Sequence, residues 1–135
     1  MDAEELILGR ICTHVAKRLL NGEEITVINA EKARISGNKA QILAHYKQRR
    51  ARGKNERGPY YPRTPDMVLR RSVRGMVNYK SPHGRAAYKR LRVFVGVPNE
   101  FRGKDTEIVE GAKKVDMDKY VYLGDITKEL GTRRV

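Results

Sequence analysis

The sequence predicts an α/β fold built around a parallel sheet. Three observations carry that reading. Residues 9–22 have a helical apolar period, residues 24–28 and 91–95 are short β-branched runs, and the elements fall in the order strand, helix, strand, helix, extension, helix, strand. At 135 residues the chain is expected to form one domain over 1–135, long enough to bury a core.

In chain order, Glu4 to Leu8 reads as the end of a strand entering a helix at Gly9. Ile11, Cys12, Val15, Ala16, Leu19 and Leu20 form one stripe of that helix, and Asn21-Gly22 ends it because glycine takes the left-handed cap freely. Glu24–Ile28 is a strand by composition, and Glu31–Arg34 a turn. Ser36 is expected to cap a second helix that runs to about Arg50 and buries Ile42, Leu43 and Tyr46. Residues 51–63 hold two glycines, two prolines and no apolar period, so they read as an extended basic arm, mobile in the free chain and ordered on a partner.

Thr64-Pro65-Asp66 is a helix start: a capping hydroxyl, proline at the first helical position, and an acid in the first turn. That helix should turn Leu69, Val73 and Met76 inward and Arg70, Arg71 and Arg74 outward, with Gly75 near its end. A short helix is expected over Ser81–Arg90, then a strand over Leu91–Val95. In the tail, 99–135, Lys119–Leu123 reads as strand or extended chain, and 123–130 as a short helix. The expected core is Val15, Leu19, Ile28, Leu43, Leu69, Val73, Val93 and Val95.

Charge narrows the function classes. Apolar residues make up 39% and charged residues 33% of the chain, and the net charge is +13. Lys47 to Arg92 holds fifteen cations against Glu56 and Asp66, so this one segment carries the whole excess. Fifteen cations with two acids repel one another unless a polyanion neutralises them. Eleven of the fifteen are arginine, whose planar fork suits phosphate better than the lysine point charge. An anionic membrane is the poorer partner, because no long amphipathic helix sets bulky apolar residues against these cations.

A single cysteine excludes an internal disulfide and fits a reducing cytosol. The acidic start, MDAEELILGR, is unlike a signal peptide, and no run approaches the ~20 apolar residues of a membrane span. Cys12, His14, His45 and His83 are scattered without zinc spacing, and no GxSxG, HExxH or paired-carboxylate pattern is present. ISGNKAQI lacks the GxxxxGK[ST] spacing of a nucleotide loop. It reads equally as a capped glycine turn or as a helix N-terminus that meets a nucleic-acid phosphate, with Lys39 assisting. Tyr60-Tyr61, between Pro59 and Pro62, either stacks on unpaired bases or anchors the arm to its own domain.

Three stretches carry a family resemblance: LILGRICTHVAKRLLNGE, ITVINAEKARISGNK, and PRTPDMVLRRSVRGMVNYKSPHGRAAYKRLRVFVGVP, together most of residues 6–98. The most specific features are VNAE followed by SGNK, and RGM followed by GRAAxKRLxV. On these the chain resembles the universal large-subunit ribosomal protein L13 family, in its archaeal and eukaryotic form. The resemblance implies a three-layer α/β/α domain with a four-stranded parallel sheet. It also implies embedding in large-subunit rRNA beside neighbouring ribosomal proteins, early in subunit assembly, without enzymatic activity, homo-oligomer, small-molecule substrate or cofactor.

Carried over by position, Arg10, Arg34, Lys39, Arg70, Arg71, Arg74, Arg85, Lys89 and Arg90 would face RNA, together with the arm cations. With the charge block this gives an RNA-binding set that adds Lys47, Arg49, Arg50, Arg52, Lys54, Arg57, Tyr60, Tyr61, Arg63 and Lys80. The chain departs from the family at Val77-Asn78, where Leu-Pro is frequent, and it begins inside the usual first strand, which should therefore be short. The tail is weakly matched. The competing readings are an RNA-acting enzyme on an α/β core, since fold does not fix function, and a nucleic-acid-coating protein.

Overall fold

A computed structural model of the chain describes residues 1–51, 64–103, 106–107 and 120–130, and of Arg50 and Ala51 the backbone alone. The expected arm, apart from its first residue Ala51, lies outside these residues, as does most of the tail.

Helix α1 (Leu8–Leu20) buries Leu8, Ile11, Cys12, Val15, Ala16 and Leu19 on one stripe and leaves Arg10, Thr13, His14 and Lys17 wet. It ends as the sequence predicts. Gly22 sits at φ 98, the Gly22 N–H donates to Leu19 O (3.1 Å), and the Glu23 N–H donates to Arg18 O (3.2 Å). These are the two bonds of a glycine-closed helix end.

Strand β1 (Ile25–Val27) pairs in parallel with β3 (Leu91–Val93), Ile25 opposite Leu91 and Val27 opposite Val93. Strand β2 (Arg34–Ser36) pairs antiparallel with β4 (Tyr120–Tyr122). The described residues thus form two two-stranded sheets, not the four-stranded parallel sheet that the resemblance implied. Between them runs the N-terminal segment, joined by single parallel bridges from Asp2 to Ile28 and from Ile7 to Arg34. The ladders stay this short for a local reason: Glu5 (φ 63) and Asn29 (φ 56) take left-handed conformations that interrupt extended pairing.

Helix α2 (Lys39–Ala51) buries Tyr46, while Ile42 and Leu43 are half-buried. Ser36 does not cap it. Ser36 is the last residue of β2, opposite Tyr120, and the Asn38 side chain instead accepts from the Ala40 N–H (2.9 Å). Asn38→Ala is therefore expected to cost about 1 kcal/mol, and Ser36→Ala less than about 0.5 kcal/mol, in denaturant unfolding. Equal losses would return the cap to Ser36.

Helix α3 (Pro65–Met76) packs most extensively on α1 and buries Val68, Leu69 and Val73, followed by Val77 just past its end. Met76, expected inside, is 43% exposed. Its angular position is inward, but the last turn overhangs the wet side of α1, where Met76 Sδ lies 3.8 Å from the Thr13 hydroxyl. Helix α4 (Pro82–Lys89) is capped by Ser81, whose hydroxyl accepts from the Gly84 N–H (3.0 Å). Helix α5 (Leu123–Glu129) lies against the 3-10 turn Ala30–Lys32, so closely that a Cβ on Gly124 would meet Glu31 Cβ at 3.1 Å.

The expected core residues Val15, Leu19, Ile28, Leu69, Val73 and Val93 are buried. Leu43 and Val95 are only half-buried: Leu43 lies on a helix where Tyr46 is the one buried residue among those whose side chains are described, and Val95 falls just after β3 ends at Val93.

Candidate nucleic-acid interface

The cationic block is organised by α3, the turn after it, and α4. Val77 closes α3 and is buried, and Asn78 then turns the chain at φ 56. A proline ring cannot take that φ, whereas asparagine is among the few residues other than glycine that take it readily. The Asn78 carbonyl accepts from the Ser81 N–H and from the Ser81 hydroxyl, both at 3.0 Å. Gly84 rests on this turn: a Cβ there would lie 2.0 Å from Asn78 O and 2.3 Å from Val77 O.

This geometry brings Tyr79 and Tyr88 together edge to face, with centroids 5.4 Å apart and planes at 80°. Arginines lie over them. Arg70 sits over Tyr88 at 4.8 Å, Arg74 over Tyr79 at 4.2 Å, and Arg85 over Tyr79 at 5.6 Å. Arg85 Nε also donates to the Tyr79 carbonyl (3.2 Å). A guanidinium over a ring is attracted by the ring's negative face and loses rotamer freedom before any ligand arrives. The tyrosines were missed in the sequence reading. The available signal was aromatic interleaving within the basic block, with Tyr79 and Tyr88 on either side of Arg85.

Other members of the expected set stand as follows. Arg71, Arg74, Lys80, Arg85 and Lys89 are exposed on or beside α3 and α4, and Arg70 is half-buried. Lys39, Lys47 and Arg49 are exposed on α2, and Arg10 is exposed on α1. Arg34 lies in β2, pairs with the Glu5 carboxylate, and rests over Tyr120 at 4.8 Å. Arg90 turns back to donate to the Leu19 carbonyl at the C-terminus of α1, a position that favours a cation. The side chain of Arg50 and all of Arg52, Lys54, Arg57, Tyr60, Tyr61 and Arg63 lie outside the described residues.

Among the described residues outside this face, Cys12, Tyr122, Asp2 and Glu31 are engaged in packing and internal hydrogen bonds. Burial pushes the Cys12 thiol up to about 12, which keeps it protonated as a packing residue. The Glu5 carboxylate, accepting from the Tyr122 hydroxyl at 2.8 Å, pushes that phenol up to about 12. An open cleft lies past the ends of β1 and β3, lined in part by Asp2, Asn29, Glu31 and Phe101. Two of its carboxylates are already engaged: Asp2 Oδ1 accepts from Asn29 Nδ2 (3.0 Å), and Glu31 Oε2 from the Gly96 N–H (2.9 Å). Among the described residues no group of three or more His, Cys, Asp or Glu could hold a metal ion. No described helix is long and apolar enough to cross a membrane.

Comparison with known proteins gives a consistent match. Residues 1–100 match the family model described as ribosomal protein L13. The chain is 50% identical over 138 residues to the large ribosomal subunit protein uL13 of Archaeoglobus fulgidus, covering 100% of this chain and 88% of that one. Against the protein of the same name from Methanosphaera stadtmanae, identity is 53% over 137 residues, with 98% and 96% covered. Against that from Methanococcoides burtonii it is 45% over 135 residues, with 98% and 97% covered.

Proposed function

The chain belongs to the ribosomal protein L13 family, and from that premise we propose that it is a structural constituent of the large ribosomal subunit. In this reading it binds large-subunit rRNA, supports early subunit assembly and translation, and works in the cytoplasm beside neighbouring large-subunit proteins. It does so as a single copy and as one domain over 1–135, without a catalysed reaction, a small-molecule substrate or a membrane.

The observation that carries the reading is the guanidinium–tyrosine face of α3 and α4, set within a segment that holds the chain's entire excess charge of +13. Phosphate contacts position a protein on RNA and require many fixed cations, which is what this face supplies. The RNA-facing set is the nineteen residues named above. Arg71, Arg74, Arg85 and Lys89 are its best-presented members, because they are exposed and share one helical pair. Arg34 and Arg90 are half-buried and also hold the fold, so their substitution is expected to affect stability and binding together.

The sheet also has a finer reading. β3, β1, the N-terminal segment and β2 act as one interrupted layer of four parallel strands between helices, with β4 added antiparallel at its edge. The two bridges from the N-terminal segment support this.

The test is a sucrose gradient of cell lysate with the chain tagged. It should travel with the large subunit at low salt and leave that peak after ribonuclease treatment. Recovery at the top of the gradient, or with chromosomal DNA, would overturn the reading.

A further inference from the structure

Resting on that rRNA reading, we propose that the wet face of α1 is a second phosphate-binding surface, on which Arg10, His14 and Lys17 follow an RNA backbone beside the face of α3 and α4. These three residues stand at i, i+4 and i+7, within about 60° of one another around the helix, and all are exposed. The resemblance placed Arg10 alone on RNA. Helix α1 contains no acid. The ion pairs around it are made by other cations: Lys32 with Glu4, Arg34 with Glu5, and Arg18 with Glu23 and Glu107. Arg10 and Lys17 have no carboxylate partner among the described residues.

Folding alone does not account for Arg10. It stands in the first turn of α1, at the positive end of the helix dipole, where an acid is favoured and a cation is not. Lys17, in the last turn, suits the dipole without any ligand. An anion bound along the row offsets the repulsion at Arg10. The row also adjoins the cationic face already described. The Thr13 hydroxyl, on the same wet side, lies 3.8 Å from Met76 Sδ in the last turn of α3, the turn that carries Arg74. An RNA strand held at that turn therefore has α1 beside it. Arg10 and Lys17 are ~10 Å apart along the helix axis, far enough to meet separate phosphates.

The experiment titrates the full chain against large-subunit rRNA transcribed in vitro, over a range of KCl concentrations. Arg10→Gln together with Lys17→Gln should lower the slope of log K against log salt by about 1.4–1.8, for two phosphates at about 0.7–0.9 each. Combined with Arg71→Gln and Arg74→Gln, the losses should add to about 2.8–3.6, because the two faces hold different phosphates. Arg10→Lys keeps the charge and should keep the slope. Arg10→Gln alone should not lower Tm, since it removes a cation that the dipole opposes. Circular dichroism confirms the fold of each variant.

An unchanged slope in the folded Arg10–Lys17 variant overturns the proposal and leaves this face to an acidic protein neighbour. A fourfold variant that loses no more slope than the Arg71–Arg74 change also overturns it, because the two faces would then share their phosphates. Either result leaves the rRNA reading standing as long as the Arg71–Arg74 change flattens the slope. That reading fails separately if the wild type binds this RNA without salt dependence or not at all.

Discussion

Gly84→Ala should destabilise the protein by about 3 kcal/mol, at the upper end of overpacking effects, and lower Tm by roughly 10 °C. In most helix interiors the same change stabilises by roughly 0.5–1 kcal/mol, because glycine gives up more backbone entropy on folding. Here the sign reverses. The added Cβ would meet Asn78 O at 2.0 Å, Val77 O at 2.3 Å and Asn78 C at 2.6 Å, all backbone atoms. That backbone has little room to yield: Val77 is 1% exposed, and the Asn78 carbonyl is held by both donors of Ser81. If the variant folds, α4 must tilt away from the turn, and the Tyr79–Tyr88 contact opens. A thermal melt within about 2 °C of wild type, well under the shift expected for 1 kcal/mol, would show that the close approach is absent in solution.

The combined change Arg70→Gln, Arg71→Gln and Arg74→Gln should weaken binding to an rRNA fragment and flatten its salt dependence. Each lost phosphate contact lowers the slope of log K against log salt by about 0.7–0.9, so three contacts lower it by roughly two to three. The three are not equivalent. Arg71 and Arg74 are exposed, while Arg70 is half-buried over Tyr88 with its Nε out of reach of solvent. The double change at Arg71 and Arg74 alone should lower the slope by about 1.4–1.8 with little effect on folding. Adding Arg70→Gln should also cost some stability through lost packing on Tyr88. Salt titrations with circular dichroism as the folding control measure both effects. An unchanged slope in a folded triple variant would remove α3 from the RNA interface and shift the main contact to residues 47–63.

The two predictions draw on different kinds of information. That α3 starts at Pro65 and turns Leu69 and Val73 inward was legible from the proline, the acid and the 3.6-residue period. The same period placed Met76 inward and could not show that this side chain overhangs the wet side of α1, beside Thr13. The cap of α2 was misread for a related reason. Ser36 and Asn38 are both good capping residues, and the pairing of Ser36 with Tyr120, far along the chain, decided between them.

By itself the sequence determined the segregation of charge, the end of α1, the start of α3, the inward stripe of α1 and the inward Leu69 and Val73 of α3. These depend on interactions within about four residues, so the local pattern of side chains suffices. The tertiary structure alone decided how three-residue strands pair, which tyrosine each arginine rests on, that Arg90 turns toward α1, and that Gly84 has no room for a methyl group. Each of these joins residues from different elements at distances of a few ångströms. Such distances are set by the close packing of the whole core, not by any local propensity.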